Sequence, residues 1–248
     1  YNLNLLGGDA CVMATVGDDA APYLQRLQQL GMTTQYVRAV PGTYTAQAFI
    51  TTDLDDNQIT AFHPGAMLHS HLNRVDEVRG ATLGIVGPDG KQGMLNNVAQ
   101  FAAQGIPFIF DPGQGMPLFD GAELLECVRQ AQYCTLNDYE ARLLCERTGR
   151  SLQDIAQMVE ALIVTYGAEG AHIHTGGEVI EIPAVRPDAV VDPTGCGDAF
   201  RAGLLYGLAH GWEWRKSGQL ASLLGSVKIA SRGGQNHAPS REELAQRY

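Results

Sequence analysis

An α/β fold, a mostly parallel sheet covered on both faces by helices, is what the order of patterns in this 248-residue chain predicts. Three observations carry that expectation. From Ala81 onward, short apolar runs of strand type alternate with segments of helical period, as parallel strands joined by crossover helices require. Before Ala81, three β-type runs (33–40, 43–52 and 58–62) follow one another without a helix, the last two joined by Asp53-Leu54-Asp55-Asp56-Asn57, so a small hairpin is inserted between the α/β units. Third, Val191-Asp192-Pro193-Thr194-Gly195-Cys196-Gly197-Asp198-Ala199-Phe200 sets two glycines around one small residue, with an aspartate directly ahead of an apolar helical run.

Taken in order, Tyr1-Asn2-Leu3-Asn4-Leu5-Leu6-Gly7-Gly8 reads as the tail of an apolar helix closed by glycine. No Met and no cap precede it, so the natural N-terminus is expected to lie outside the chain. Residues 11–16 form a short β-type run. Gly17-Asp18-Asp19 reads as turn and N-cap for a helix through Leu30, in which Leu24, Leu27 and Leu30 recur at helical spacing until Gly31 stops it. Strands are expected at 81–86, 107–110, 133–136, 161–166 and 171–175, with a strand-like run at 178–185. Helices are expected at 94–103, 122–130, 138–147, 198–210, 214–230 and from Ser240. No internal repeat or linker interrupts the chain, so residues 1–248 read as one domain, with the hairpin inside 33–62.

Composition narrows the function. A net charge of −10 argues against nucleic acid and anionic membrane as partners, because both select basic faces. No apolar run reaches the roughly 18 residues of a membrane helix. Five cysteines without C-x-x-C spacing point to reduced thiols and a cytoplasmic protein. The pairs His69/His71 and His172/His174 have strand-face spacing but no evident third metal ligand, and read as surface or hydrogen-bonded histidines. A nicotinamide-dependent dehydrogenase is a poor reading, since no G-x-G-x-x-G follows the first strand.

A glycine-bearing turn that opens a helix leaves backbone N–H groups aimed outward at the positive end of the helix dipole, which makes an anion site. An aspartate there needs a reason of its own: Asp198 is either a catalytic group or an ordinary N-cap. Other polar features follow predicted strands, where ligands of such folds sit. Asp111 ends one strand. Asn137 and Glu140 follow another, one helical turn apart, and residues 165–170 join two strands through a loop with Gly167 and Gly170. Oxygen ligands of this kind suit Mg²⁺.

As a set, the G-C-G-D of Gly195 to Asp198, the N-x-x-E of Asn137 and Glu140, the T-x-G-x-x-G from Thr165 to Gly170, and Asp111-Pro112 resemble the ribokinase-like (PfkB) carbohydrate kinase family, in that family's order. His63-Pro64-Gly65-Ala66 and Gly17-Asp18-Asp19 also match its pattern, so the resemblance covers nearly the whole chain. It implies a three-layer α/β/α fold with a small β lid, and transfer of the γ-phosphate of ATP to a hydroxyl. Asp198 would be the general base, and Gly195, Cys196 and Gly197 the anion hole. Glu140 with Asn137 would organise Mg²⁺ through water. Thr165, Gly167 and Gly170 would line the ATP site, and Asp192 with the loop 231–237 would hold a monovalent cation such as K⁺. A carboxylate at a helix N-terminus stays ionised at neutral pH, as a base must.

Departures are visible too. Cys196 stands where the family usually has Ala, leaving a thiol at a helix N-terminus that is expected to be reactive. Gly113 stands where many sugar kinases have Asn, and Ser222 where adenine readers often place Asn. Asp111-Pro112-Gly113-Gln114, Pro64-Gly65-Ala66-Met67 and Gly234-Gln235-Asn236-His237 resemble bacterial nucleoside kinases, adenosine kinase in particular, more than ribokinase. The expected acceptor is the 5′-hydroxyl of adenosine or a related nucleoside, with Gln47, Phe49 and Phe62 offering an amide and aromatic faces to the base. Phe in a β-run is otherwise a core residue. The alternatives are a ribokinase- or fructokinase-type sugar kinase, and an inactive sugar- or nucleoside-binding regulator. Hairpin lids of this family also form dimer contacts, so a homodimer is expected.

Overall fold

The computed structural model describes residues 1–53 and 58–248; the connection 54–57 of the predicted hairpin lies outside the described residues. The chain runs α1 (Asn2–Leu5), β1 (Ala14–Val16), α2 (Ala21–Gln29), β2 (Val37–Ala39), β3 (Gln47–Thr52), β4 (Gln58–His63), β5 (Gly84–Val86), α3 (Lys91–Gln104), β6 (Phe108–Phe110), α4 (Gly121–Gln130) and β7 (Tyr133–Asn137). It continues through α5 (Asp138–Thr148), α6 (Leu152–Ala156), β8 (Ala161–Thr165), β9 (Ala171–Thr175), β10 (Glu178–Ile182), α7 (Cys196–Ala209), α8 (Trp214–Ile229) and α9 (Arg241–Arg247).

A six-stranded sheet in the order β10-β9-β8-β7-β6-β5 forms the centre. The β5–β6, β6–β7 and β7–β8 pairings are parallel, each pair joined across a helix. The β8–β9 and β9–β10 pairings are antiparallel because their connections are too short for a crossover. Gly176 and Gly177, both at positive φ, close the two-residue turn between β9 and β10. Strands β1 and β2 pair in parallel and β3 and β4 antiparallel, each pair a small sheet of its own.

Strand β8 shows why there are three layers. Its side chains alternate: Leu162 and Val164 join a core with Val98, Phe101, Leu124 and Leu144 of α3, α4 and α5. Ala161 and Ile163 face the other way, against Phe200, Leu204 and Ala221 of α7 and α8. A strand apolar on both faces must be covered on both. Each fully buried side chain of this size contributes about 1.5–3 kcal/mol, so the two cores outweigh the capping boxes of α4 and α5, at about 1 kcal/mol each.

Several local readings change. Asp18 and Asp19 do not cap α2, whose N-cap is Ala20. They hold the segment before β3 instead: Asp18 Oδ2 accepts from Gly42 N at 3.0 Å, and Asp19 Oδ1 from Thr45 N and Oγ1, both at 2.8 Å. Residues 43–46 therefore bend around two carboxylates rather than extend as a strand. A 3₁₀ segment, Gly65–Leu72, follows the hairpin, so His69 and His71 lie in a helical turn and not on a strand face. The short α6 was not legible either; the capping box of Ser151 and Asp154 starts it.

Helices α7 and α8 pack almost backbone to backbone. A Cβ on Gly203 would lie 2.5 Å from the Cα of Ala221, and one on Gly207 2.6 Å from the Cβ of Ser217. Neither neighbour is the end of a flexible side chain, so neither can yield cheaply. Gly203→Val is expected to destabilise the protein by about 1–3 kcal/mol through overpacking, read as a lower midpoint in chemical denaturation.

Candidate active site

The C-terminal ends of β6, β7 and β8 and the N-terminus of α7 converge. Asn137 and Thr165 are register partners at the ends of β7 and β8, which places two of the sequence-selected residues side by side. Asp111 follows β6, its N–H donating to the carbonyl of Val86 at 2.9 Å.

Asn137 and Glu140 form a capping box on α5. Asn137 Oδ1 accepts from Glu140 N, and Glu140 Oε2 accepts from Asn137 N, both at 2.8 Å. Glu140 is buried. The cap fixes its carboxylate and leaves Oε1 outside the box. Among the described residues no three His, Cys, Asp or Glu side chains group into a metal cage. The donor set therefore fits a magnesium ion carried on phosphate and water, which needs only one or two protein carboxylates.

Helix α7 begins at Cys196 with Gly195 as N-cap in the left-handed region, φ +83°, where glycine carries no penalty. Asp198 is therefore the third residue of the first turn and not the cap. Its side chain is exposed, and Oδ2 lies 3.7 Å from where a Cβ on Gly195 would be. Of the expected anion-hole donors, Cys196 N is already given to the carbonyl of Pro193 at 3.1 Å. The N–H groups of Gly197 and Asp198 have no intrahelical acceptor available to them by position. The Cys196 thiol is half-buried, and burial pushes it up, with Lys228 pulling the other way.

Two cations were missed by sequence reasoning, Arg201, partly buried, and Lys228, fully buried. Arg201, one turn into α7, donates from Nη2 to Asp111 Oδ1 at 2.8 Å, and its Nε is ion-paired with Asp111 Oδ2. Burial lowers the guanidinium's pKa, but the carboxylates of Asp111, Glu140 and Asp198 leave it raised overall. Burial pushes Asp111 up to about 6, against the pull of Arg201. Lys228, in the last turn of α8, is 0% exposed; its Nζ donates to the carbonyls of Asp192 at 2.8 Å and Ser231 at 2.9 Å. The available signal was a charged residue inside an otherwise apolar helical run, as in Phe200-Arg201-Ala202 and Val227-Lys228-Ile229.

Asp192 does join the loop before α7 to the loop 231–237. Its Oδ2 accepts from Gly233 N at 2.7 Å and its Oδ1 from Thr194 N at 2.8 Å. The latter loop is also held from outside: Tyr1 Oη donates to the carbonyl of His237, whose ring pairs with Asn2 Oδ1, and Arg26 donates to the carbonyl of Gln235 at 3.1 Å.

Other expected residues separate. Gly170 is explained by packing, because a Cβ there would strike the backbone at Ile182 to Ala184. Gly167 is exposed, at φ +59°, with nothing above it, so close ligand approach is available at Gly167 alone. Along the hairpin, Gln47 and Phe49 share one face with Ala61 and His63, whereas Phe62 shares the opposite face with Ala48. Gln47, Phe49 and Phe62 therefore cannot meet one ligand from one face of the hairpin. Phe49 and Phe62 are 61% and 53% exposed, so they are not core residues. Gly113, at φ +44°, lies where a Cβ would come 2.6 Å from Pro88 Cγ, which leaves no room for Asn. Ser222 turns inward to the carbonyl of Pro183 and the N–H of Val185.

The donors on Asp192 hold its carboxyl down to about 2, with Gly233 N–H the largest cause and Thr194 next. Since this folded value lies below the ordinary 3.8, its stabilising contribution is complete above about pH 3.8 and lost only as pH falls through about 2. Asp192→Ala is expected to lower the thermal midpoint by the same amount at pH 7 as at pH 5, measured by calorimetry. A deficit that shrinks at pH 5 would show that Asp192 is not held in this way.

Comparison with known proteins gives the family. The description "pfkB family carbohydrate kinase" matches residues 1–241. Among solved structures, Burkholderia thailandensis nucleoside kinase in complex with inosine is 57% identical, with a TM-score of 0.96 over 100% of this chain and 81% of that one. Its complex with ADP-inosine superposes with a TM-score of 0.96 over 78% of that chain. The nucleoside kinase of Methanocaldococcus jannaschii is 29% identical over 251 residues, 98% of this chain and 80% of its own. Bacillus subtilis ribokinase is 26% identical over 245 residues, 96% of this chain and 81% of its own. With residues 1–241 matched and the fold superposing on that of a nucleoside kinase over 100% of the chain, the chain belongs to the PfkB family of carbohydrate kinases.

Proposed function

We propose that residues 1–248 form one kinase domain that transfers the γ-phosphate of ATP to the 5′-hydroxyl of a nucleoside, adenosine or a related one. The observation that carries this reading is the first turn of α7, where an exposed carboxylate, Asp198, stands beside free helix N–H groups and a partly buried arginine. The 57% identity to a nucleoside kinase solved with inosine and with ADP-inosine supports the acceptor class and the nucleotide.

In this reading Asp198 takes the proton of the attacking hydroxyl. The N–H groups of Gly197 and Asp198, with Gly195 setting the turn, face the phosphoryl group as its charge redistributes. Cys196 serves as the small residue between the glycines. Thr165 and Gly167 lie along the nucleotide, and Gly170 keeps their loop closed. Glu140, aligned by Asn137, holds the water shell of Mg²⁺, which supplies charge neutralisation when bound. Arg201 offsets Asp111, Glu140 and Asp198, so that an anionic substrate can approach. Five free cysteines and the demand for ATP support a cytoplasmic location. Among the described residues no helix is long and apolar enough to cross a membrane.

The similarity to ribokinase keeps a sugar acceptor as the second reading. Turnover with adenosine, inosine, ribose and fructose under ATP and Mg²⁺ tests the choice: the nucleosides are expected to give the higher kcat/KM, and ribose exceeding both of them removes the proposal. Asp198→Asn is expected to lower kcat by about 10²–10⁴-fold with KM little changed. Near wild-type turnover in that variant would mean that Asp198 is not the base.

The hairpin supports a homodimer. Phe49 and Ile59 are 61% and 79% exposed on one face, and Ile50 and Phe62 are 56% and 53% exposed on the other. Two apolar faces on one isolated hairpin need two covers. We assign one to the nucleoside and one to a second copy of the chain. Light scattering is expected to return twice the 26.7 kDa chain mass, and a monomer would remove the second cover.

A further inference from the structure

Lys228 occupies the place where the family resemblance puts a monovalent cation. Potassium would be held there by oxygens of Asp192 and of the loop 231–237. In this structure the backbone oxygens of Asp192 and Ser231 are taken by the Lys228 ammonium, at 2.8 and 2.9 Å. These residues therefore do not fit a free potassium ion, because two cations cannot share the same pair of carbonyl oxygens at contact distance.

We propose that Lys228 is a tethered resident cation, which ties the loop before α7 to the loop after α8 and makes the site independent of K⁺. Four features of the molecule meet in this reading. A lysine with no exposed surface is costly to bury unless its charge is hydrogen-bonded and compensated. Two carbonyl acceptors and the nearby Asp192 carboxylate supply both. The lysine emerges from the C-terminal turn of α8, where the helix presents its negative end. Its Cε lies 3.7 Å from the Cβ position of Gly195, as does Asp198 Oδ2, so it sits beneath the turn that aims the α7 N–H groups. The positive ends of Lys228 and of α7 thus act on one phosphate-facing turn. A side chain does this at full occupancy, whereas a dissolved ion does it only when bound.

Lys228 is a positioning residue in this account: it touches neither substrate, and acts through Asp192, Gly195 and Ser231. Only the activity part of the test rests on the kinase reading; the thermal part stands without it. The protein is compared in KCl and in tetramethylammonium chloride at equal ionic strength, the latter cation being too large for the site. For the wild type, the thermal midpoint and kcat are expected to be the same in both salts. For Lys228→Met, kcat is expected to fall by about tenfold or more in tetramethylammonium, with KM little changed, as aligned donors are lost. Added K⁺ is expected to raise its midpoint and its kcat saturably, as binding to the native state alone requires.

A wild-type midpoint or kcat that rises saturably with K⁺ would overturn the proposal. So would a folded Lys228→Met that is fully active in tetramethylammonium. If Lys228→Met does not fold, the wild-type comparison decides by itself. Should the wild type turn over no acceptor, the kinase reading fails while the salt dependence of the midpoint still tests the resident cation.

Discussion

Negative charge is the constraint around which the centre of this molecule is built. Asp111, Glu140, Asp192 and Asp198 all gather near the start of α7, in a chain of net charge −10. At an effective dielectric of about 20, a pair of like charges 4 Å apart repels by about 4 kcal/mol, so an anionic phosphate entering this group unaided would be rejected. Arg201 and Lys228 are the internal answer. One is paired with Asp111 and is partly buried, and the other spans two loops and is fully buried. Reduced access to water weakens the screening of both, most completely at Lys228, and makes them intolerant of losing a partner.

The close approach of α7 and α8 serves the same end. Lys228 reaches the α7 turn from the far end of α8, and the two helices are held at backbone distance by Gly203 and Gly207. A change in spacing between these helices would shift the ammonium relative to the turn it supports. Packing and electrostatics are therefore one design: the glycines fix a distance that the lysine then uses.

Much of the fold was legible because its signals are periodic. The strand-type run at β8 is apolar from Ala161 to Val164, which requires cover on both faces, and the helical runs of α3, α5, α7 and α8 supplied it. The motifs around Asn137, Thr165 and Asp198 were legible because each follows or opens a regular element, where backbone groups are free. What was hidden depends on contacts distant in sequence. Arg201 meets Asp111 ninety residues away, and Lys228 meets Asp192 thirty-six residues away. Neither partner can be read from spacing along one helix. The hairpin misled for a different reason: Gln47, Phe49 and Phe62 look alike as β-run residues, but the pairing of Ala48 with Phe62 sends Phe62 to the other face.

That alternation makes the hairpin two surfaces in one. Because odd and even positions of β3 look in opposite directions, a substitution at 47, 49 or 51 alters one surface of the hairpin and one at 48 or 50 alters the other. One pair of strands thus carries two surfaces that can be changed separately. Deleting a single residue from either strand would turn the residues beyond it to the other surface, so the pair is more sensitive to length than to any one side chain.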